Sequence, residues 1–330
     1  MVGTISTTDV HNIQRHNAGD MISDLPEGIL LHILSLLPTK DAVRTSALAK
    51  KWRHLWTYLS AFDFQTGRYD SENQNQNNTA NCLLDLVARL LHKSNRVERL
   101  CVQTFESVVG ADKVTSLITS VVKHKVQDLE LSLGDQNDKF VLPHSFSSFE
   151  SLTKLCLGLK FTLHIPNDIR FPSLKKLVVS EVTFADEMSV QQLFSGCSVL
   201  QELTLYNCYW ENIEQITVAI STLTKLTINF DLFSVAYDHD MTLMIDAVNL
   251  LSLCCTCIQT IEIIPVNLTS VVDASIDLEY DHPSSESYAA HCVFQLLSGL
   301  SSVQSLTLYN NTLEVCLPIC LSSSCFFYNT

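Results

Sequence analysis

The chain has 330 residues, 46% of them hydrophobic, which is room for about two domains with a sizeable core. Its 21 basic and 35 acidic residues give a net charge of −14, which repels phosphate backbones and acidic membrane surfaces and argues against nucleic acid or membrane as a partner. No run of about 18 apolar residues is present to span a bilayer, and residues 1–20 hold no apolar run of the secretory kind, so the expected location is intracellular, in nucleus, cytoplasm or both.

Residues 1–19 are polar and are expected to be a disordered tail. From Leu25 to Leu37 (LPEGILLHILSLL) the chain reads as a helix whose apolar residues spread over roughly two-thirds of the circumference, more than the stripe a surface helix needs. Pro26 fits the first turn, Ser23 or Asp24 offers a side-chain cap, and Pro38 ends the helix. Thr39 is the expected cap of a second helix, with Asp41 in its first turn and Val43, Ala47 and Leu48 as a second apolar edge. Trp52, Leu55, Trp56 and Leu59 follow at helical spacing. Three short helices result, and a unit of about 40 residues cannot enclose all of these side chains by itself. The surplus implies a protein partner. Residues 20–59 carry five basic and four acidic groups, so the acidity of the chain belongs to the rest.

Residues 65–81 (QTGRYDSENQNQNNTAN) are polar and read as a linker or loop, after which Cys82 to His92 restores helical periodicity. Beyond it, over 82–315, the pattern L-x-x-L-x-L recurs at Val97/Leu100/Val102, Val126/Leu129/Leu131, Leu152/Leu155/Leu157, Leu174/Leu177/Val179, Leu200/Leu203/Leu205, Leu223/Leu226/Ile228 and Val303/Leu306/Leu308. The middle residues are spaced by 29, 26, 22, 26 and 23 up to Leu226, the range of a leucine-rich repeat, and Cys208 and Asn311 fall at the closing N/C position. A weaker repeat reads at Val248/Leu251/Leu253 and another around Ile276/Leu278. The fold class is therefore α/β: three helices followed by a solenoid with a concave parallel sheet, and with helices or turns such as Ser189 to Gly196 on the convex side.

Residues between the leucines face outward on such a sheet and are the candidates for target binding: Lys176, Glu202, Thr204, Tyr206, Lys225, Asn229 and Tyr309. Tyr206 with Tyr209 and Trp210 is the best aromatic cluster. No basic cluster for a phosphate or carboxylate ligand is legible along the array. The 12 cysteines show no finger spacing and read as core filler, the 11 histidines form no metal or hydrolase motif, and nine glycines build no phosphate loop. Asp238, Asp240 and Asp246 read as a solvated acidic loop rather than a calcium site. No catalytic residue, metal or cofactor is expected. Residues 316–330 lose the repeat spacing and form an irregular tail.

The stretches DMISDLP at 20–26, LLPTKDAVRTS at 36–46 and KWRHLW at 51–56, with the Asp63-Phe64 pair, closely resemble an F-box over residues 20–64, and the flavour is that of the plant F-box/leucine-rich-repeat class. The resemblance implies a non-catalytic receptor. Its F-box binds a Skp-type adaptor, and through it cullin and RING subunits of a ubiquitin ligase, while the repeats hold an unknown protein substrate. Carried over by motif position, adaptor contacts fall on Leu25, Pro26, Ile29, Leu30, Ile33, Leu34, Leu37, Pro38, Val43, Leu48 and Trp52. Ala49-Lys50-Lys51 stands where the family usually has Ser-Lys-Arg. Family members usually continue through further repeats and often a C-terminal FBD region, so the ending predicts a truncated or alternatively spliced product. Two alternatives remain open at this point: a ligand-dependent co-receptor of the same ligase, and an adaptor-binding protein without a target.

Overall fold

A computed structural model of the chain describes residues 21–65, 76–104, 109–133, 139–210, 213–230, 241–258, 261–279, 286–309 and 312–314. The chain divides into two compact units, Met1–Leu59 and Ser60–Thr330.

In the first unit, α1 (Glu27–Ser35) and α2 (Thr39–Arg44) are followed by 3₁₀ segments at Thr45–Ala47 and Lys50–Tyr58. Each α-helix starts directly after a proline, Pro26 or Pro38, whose fixed φ and missing N–H suit helix entry. The N-cap positions are the prolines themselves, which offer no side-chain cap. Ser23 instead accepts a 2.8 Å hydrogen bond from the Trp52 indole, and Thr39 is a buried helical residue behind Pro38. The third expected helix is 3₁₀, whose three residues per turn put Trp52 and Leu55 on one buried stripe. Lys51 donates to the carbonyls of Ser23 and Leu25, which straps the chain entering α1 onto that segment.

From Ser60 the order is β1 (Ala61–Gln65), α3 (Gln76–Lys93), β2 (Arg99–Thr104), α4 (Ala111–Lys123), β3 (Asp128–Leu133), β4 (Lys139–Val141), a 3₁₀ turn (His144–Ser148), β5 (Lys154–Leu159), β6 (Thr162–His164) and β7 (Lys176–Ser180). Then come β8 (Thr183–Phe184), α5 (Glu187–Ser195), β9 (Glu202–Tyr206), β10 (Tyr209–Trp210), β11 (Gln215–Ala219), β12 (Lys225–Asn229) and β13 (Met241–Asp246). The remainder is β14 (Ser252–Ile258), β15 (Ile261–Asn267), β16 (Asp273–Glu279), α6 (Glu286–Ser298) and β17 (Ser305–Leu308). Ten strands, β1-β2-β3-β5-β7-β9-β12-β14-β16-β17, make one long parallel sheet, and β4-β6-β8-β10 and β11-β13-β15 make two smaller parallel ones. This is the solenoid expected from the repeats.

One hydrogen-bond device repeats along the long sheet. Two successive N–H groups at each strand entry donate to one carbonyl of the preceding repeat: Glu98 and Arg99 to Ser60, Gln127 and Asp128 to Glu98, and so on to Gln304 and Ser305 on Val272. The device fixes the register of every repeat and corrects two readings of the sequence. Phe62 and Phe64 are buried, and Ala61–Gln65 pairs with β2, so the Asp63-Phe64 pair lies in the first strand of the sheet. At the weak repeat, Val248 (41% exposed) and Leu251 (49%) face water, whereas Leu250, Leu253 and Cys255 are fully buried. Cys255 fills a leucine position, which shifted the apparent pattern by two residues. In the next repeat the buried set is Val271, Ala274 and Ile276. The linker expected over 65–81 is also corrected at both ends, because Gln65 belongs to β1 and residues 76–81 belong to α3; its centre, residues 66–75, lies outside the described residues.

The layer behind the long sheet changes along the chain. It holds α3, α4 and a 3₁₀ turn in the early repeats, α5 in the middle, then the strands β11, β13 and β15, and finally α6. Repeat length alone does not set the choice: the step from Ser60 to Glu98 takes 38 residues and carries α3, but that from Lys175 to Gln201 takes 26 and carries α5, while that from Thr224 to Leu251 takes 27 and carries β13. In β13 the alternation of buried and half-buried residues in MTLMID fits a strand and not a helix. β15 is an edge strand, where Pro265 costs no ladder hydrogen bond.

Aromatic side chains tie successive repeats together inside. Phe140 meets Phe161 with ring centroids 5.6 Å apart, and Trp210 stacks on Phe184 at 5.0 Å and meets Phe230 edge-on at 6.2 Å. Each such pair adds about 0.5–1.5 kcal/mol beyond its area. Gly196 ends α5 where an added Cβ would stand 2.9 Å from the Ile169 carbonyl oxygen, so the repeat before it closes onto bare backbone.

Candidate partner-binding surfaces

The helical unit sorts its apolar residues into two sets. Leu30, Leu34, Trp52 and Leu55 are buried, so Leu30, Leu34 and Trp52 shape the unit and offer almost no surface to a partner. Ile29 (48% exposed) and Leu37, Pro38 and Pro26 are exposed, Leu48 is 72% exposed, and Leu25, Ile33 and Val43 are half-covered. Sequence reasoning left out Met21, Ile22, Tyr58 and above all Leu36, which is 73% exposed. Leu36 was detectable, since it follows directly on the helix and precedes Leu37-Pro38. A run of exposed leucine and isoleucine on so small a unit is a surface prepared for another protein.

The long sheet presents its outward side chains in three rows. The first runs Arg99, Asp128, Lys154, Lys176, Glu202, Lys225, and the register pairs each with the next. Asp128 lies 3.6 Å from Arg99 and 3.4 Å from Lys154, and Lys176 donates to Glu202 at 2.7 Å. That hydrogen bond, helped by the charges of Lys176 and Lys225, holds the Glu202 carboxyl below its usual range. The middle row includes Cys101, Glu130, Cys156, Val178, Thr204 and Thr227. The third includes Ser132, Gly158, Ser180, Tyr206 and Asn229. A Cβ on Gly158 would come within 3.0 Å of the Ser180 hydroxyl and 3.2 Å of that of Ser132, so this row is flattest there.

Of the residues expected to contact a target, Lys176, Glu202, Thr204, Tyr206, Lys225 and Asn229 share this face on β7, β9 and β12. Tyr309 is exposed but follows β17, beyond β14 and β16. Of the expected aromatic cluster, Trp210 is buried against Phe184 and Tyr209 lies with it in β10 of a smaller sheet, while Tyr206 is exposed on the long sheet. A row of four basic and two acidic residues is formed that was not legible in sequence, because residues 22 to 29 positions apart come together only through the register.

The thiols behave as small apolar groups. Burial pushes Cys101, Cys197 and Cys208 up to about 12 and Cys156 up to about 11, which favours the neutral thiol. Cys208 donates to the Val179 carbonyl of the previous repeat at 3.4 Å. Thr312 does the comparable work at the last repeat, accepting from the Leu278 N–H at 2.8 Å. Asn311, expected in that role, lies outside the described residues, as do Asp238, Asp240 and the tail at 316–330. Among the described residues no group of three or more His, Cys, Asp or Glu side chains is placed to hold a metal ion, and no helix is long and apolar enough to cross a membrane.

Two family models match the chain: an F-box domain over residues 22–63, and the LRR repeats of "FBD-associated F-box protein At5g56370" over 114–270. Similar proteins occur in Arabidopsis thaliana. The putative F-box/FBD/LRR-repeat protein At1g66290 is 30% identical over 94% of this chain and 69% of its own length. F-box/LRR-repeat protein At3g59200 is 30% identical over 91% of this chain and 62% of itself, and FBD-associated F-box protein At1g66310 is 32% identical over 90% and 66%. The chain thus spans about two-thirds of the length of these relatives. With an F-box match on the unit that exposes apolar leucines, a repeat match on the long parallel sheet and relatives aligned along nearly all of it, the chain belongs to the F-box/LRR-repeat family.

Proposed function

We propose that this chain is the substrate-recognition subunit of a Skp-cullin-F-box type ubiquitin ligase. Its F-box holds a Skp-type adaptor, which links it to cullin and RING subunits, and its repeats hold the protein to be ubiquitinated. It is non-catalytic and works by position: fixing target lysines near a charged conjugating enzyme raises their effective concentration without a nucleophile or base of its own. Its place of work is the nucleus, the cytoplasm or both. The observation that carries this reading is the exposure of Ile29, Leu36, Leu37 and Leu48 on the segment matched by the F-box model.

The test is coexpression of the full chain with a plant Skp-type adaptor, followed by affinity capture. Leu36→Asp with Leu48→Asp places charge on surface that is already wet, so folding is spared, while capture falls at least about tenfold because a buried unpaired charge costs several kcal/mol at an interface. Leu25→Ala with Pro26→Ala should likewise weaken capture. Undiminished capture by L36D/L48D would overturn the proposal.

A further inference from the structure

In the first row of the long sheet, six adjacent strands from β2 to β12 each begin with a charged residue, in the order Arg99, Asp128, Lys154, Lys176, Glu202, Lys225. Asp128 is shared by Arg99 and Lys154, and Glu202 by Lys176 and Lys225. Two carboxylates among four cations leave a surplus of positive charge on a chain whose net charge is −14. The row has one place where two like charges are neighbours, each held on its outer side by a carboxylate, Lys154 by Asp128 and Lys176 by Glu202. Lys154 and Lys176 are register partners on β5 and β7, strands about 4.8 Å apart, with no carboxylate between them in the row. Their neighbours in the middle row, Cys156 and Val178, carry no charge.

On either side of this basic centre the face turns acidic. Asp63 and Glu130 lie in the middle row on β1 and β3, and Asp273 and Asp277 lie on β16. Lys154, Lys176 and Lys225 span three strand gaps, about 14 Å, which is the reach of about four extended residues. An extended anionic surface such as a bilayer or a duplex would meet the acidic flanks as well, whereas a short acidic segment meets three lysines and Glu202 alone.

Resting on the target-binding reading above, we propose that the Lys154–Lys176 step of the long sheet seats carboxylates from a short acidic segment of the target protein. A carboxylate placed between the two lysines adds an anionic partner to each, beside Asp128 and Glu202, which already hold them. Glu202 works against binding, because it already holds Lys176.

The test is fluorescence anisotropy on the full chain with labelled octapeptides of alternating glutamate and serine, lysine and serine, or glycine and serine. The glutamate peptide should bind most tightly, and more weakly as salt rises. Lys154→Glu with Lys176→Glu should reduce its affinity about tenfold or more, and Glu202→Gln should raise it about twofold. Lys113→Glu with Lys123→Glu, on α4 and away from this face, changes net charge equally and should leave affinity within about twofold. If the double reversal does not fold, Lys154→Met with Lys176→Met takes its place, folding being followed by thermal melting. The proposal is overturned if the glutamate peptide binds no better than the glycine or lysine peptide, or if the α4 variant loses as much as the variant on the face. Adaptor capture measured on the same preparations separates the two readings: intact capture with no peptide preference sinks this inference alone, and lost capture by the wild-type chain sinks its parent.

Discussion

Asp277 is the residue whose surroundings most clearly oppose its charge. It lies on β16, and partial burial raises its carboxyl above the usual range with no opposing cause. A carboxyl whose folded-state pKa is raised binds protons more readily folded than unfolded, so its penalty is absent at low pH and grows as pH rises through that range. Asp277→Asn should therefore raise the melting temperature near pH 7 and leave it unchanged near pH 3. Melts in both buffers check this, and equal shifts at the two values would refute it. Glu202 has the opposite sign. Its lowered carboxyl favours the fold at neutral pH, and that contribution is lost as pH falls, though at a wet surface it is small. Neither tendency was visible in sequence, because each depends on a neighbour more than twenty residues away or on burial.

At the scale of the element, α1 shows how far an apolar pattern reaches as evidence. The excess of apolar residues was legible, and so were the prolines that start α1 and α2, because φ restriction acts locally. Which leucines turn inward was not, since an apolar arc covering most of a helix has no single face. Leu34 is fully buried and Leu36 is 73% exposed, only two residues apart. Leu34→Ala should cost the helical unit about 2–5 kcal/mol and Leu36→Ala less than about 0.5 kcal/mol, read by urea denaturation, while the second weakens adaptor capture more per unit of stability lost. Equal destabilisation by the two would contradict the burial pattern. The layer behind the long sheet was half legible for a related reason. Sequences such as QITVA and MTLMID alternate in strand fashion, yet a repeat template supplies a helix there, and step length does not separate the two, since α5 crosses in 26 residues and β13 in 27.

For the whole array, the leucine pattern located most strands because L-x-L occupies alternate residues that face one core, and it failed where phenylalanine, cysteine or alanine took a leucine position, at Phe62, Cys255 and Ala274. Those substitutions leave the solenoid intact, because the paired N–H groups at each strand entry set the register whatever fills the core. Each repeat touches only its neighbours, so stability is a sum of repeat and interface contributions and should be lower where one neighbour is uncovered. Leu203, in β9, has strands on both sides and is buried, whereas Leu306, in β17 at the sheet's last position, is 37% exposed. Leu203→Ala should thus cost about 2–5 kcal/mol and lower amide protection in β7 and β12 along with β9, while Leu306→Ala should cost under about 1 kcal/mol and act on β16 and β17 alone. Hydrogen exchange resolved by segment decides between this account and a fully cooperative array. If Leu306→Ala loosened β7 and β9 as much as β16, stability would be shared globally, and a docked acidic segment at β5 to β12 would then stiffen the sheet's far edge as strongly as its own strands.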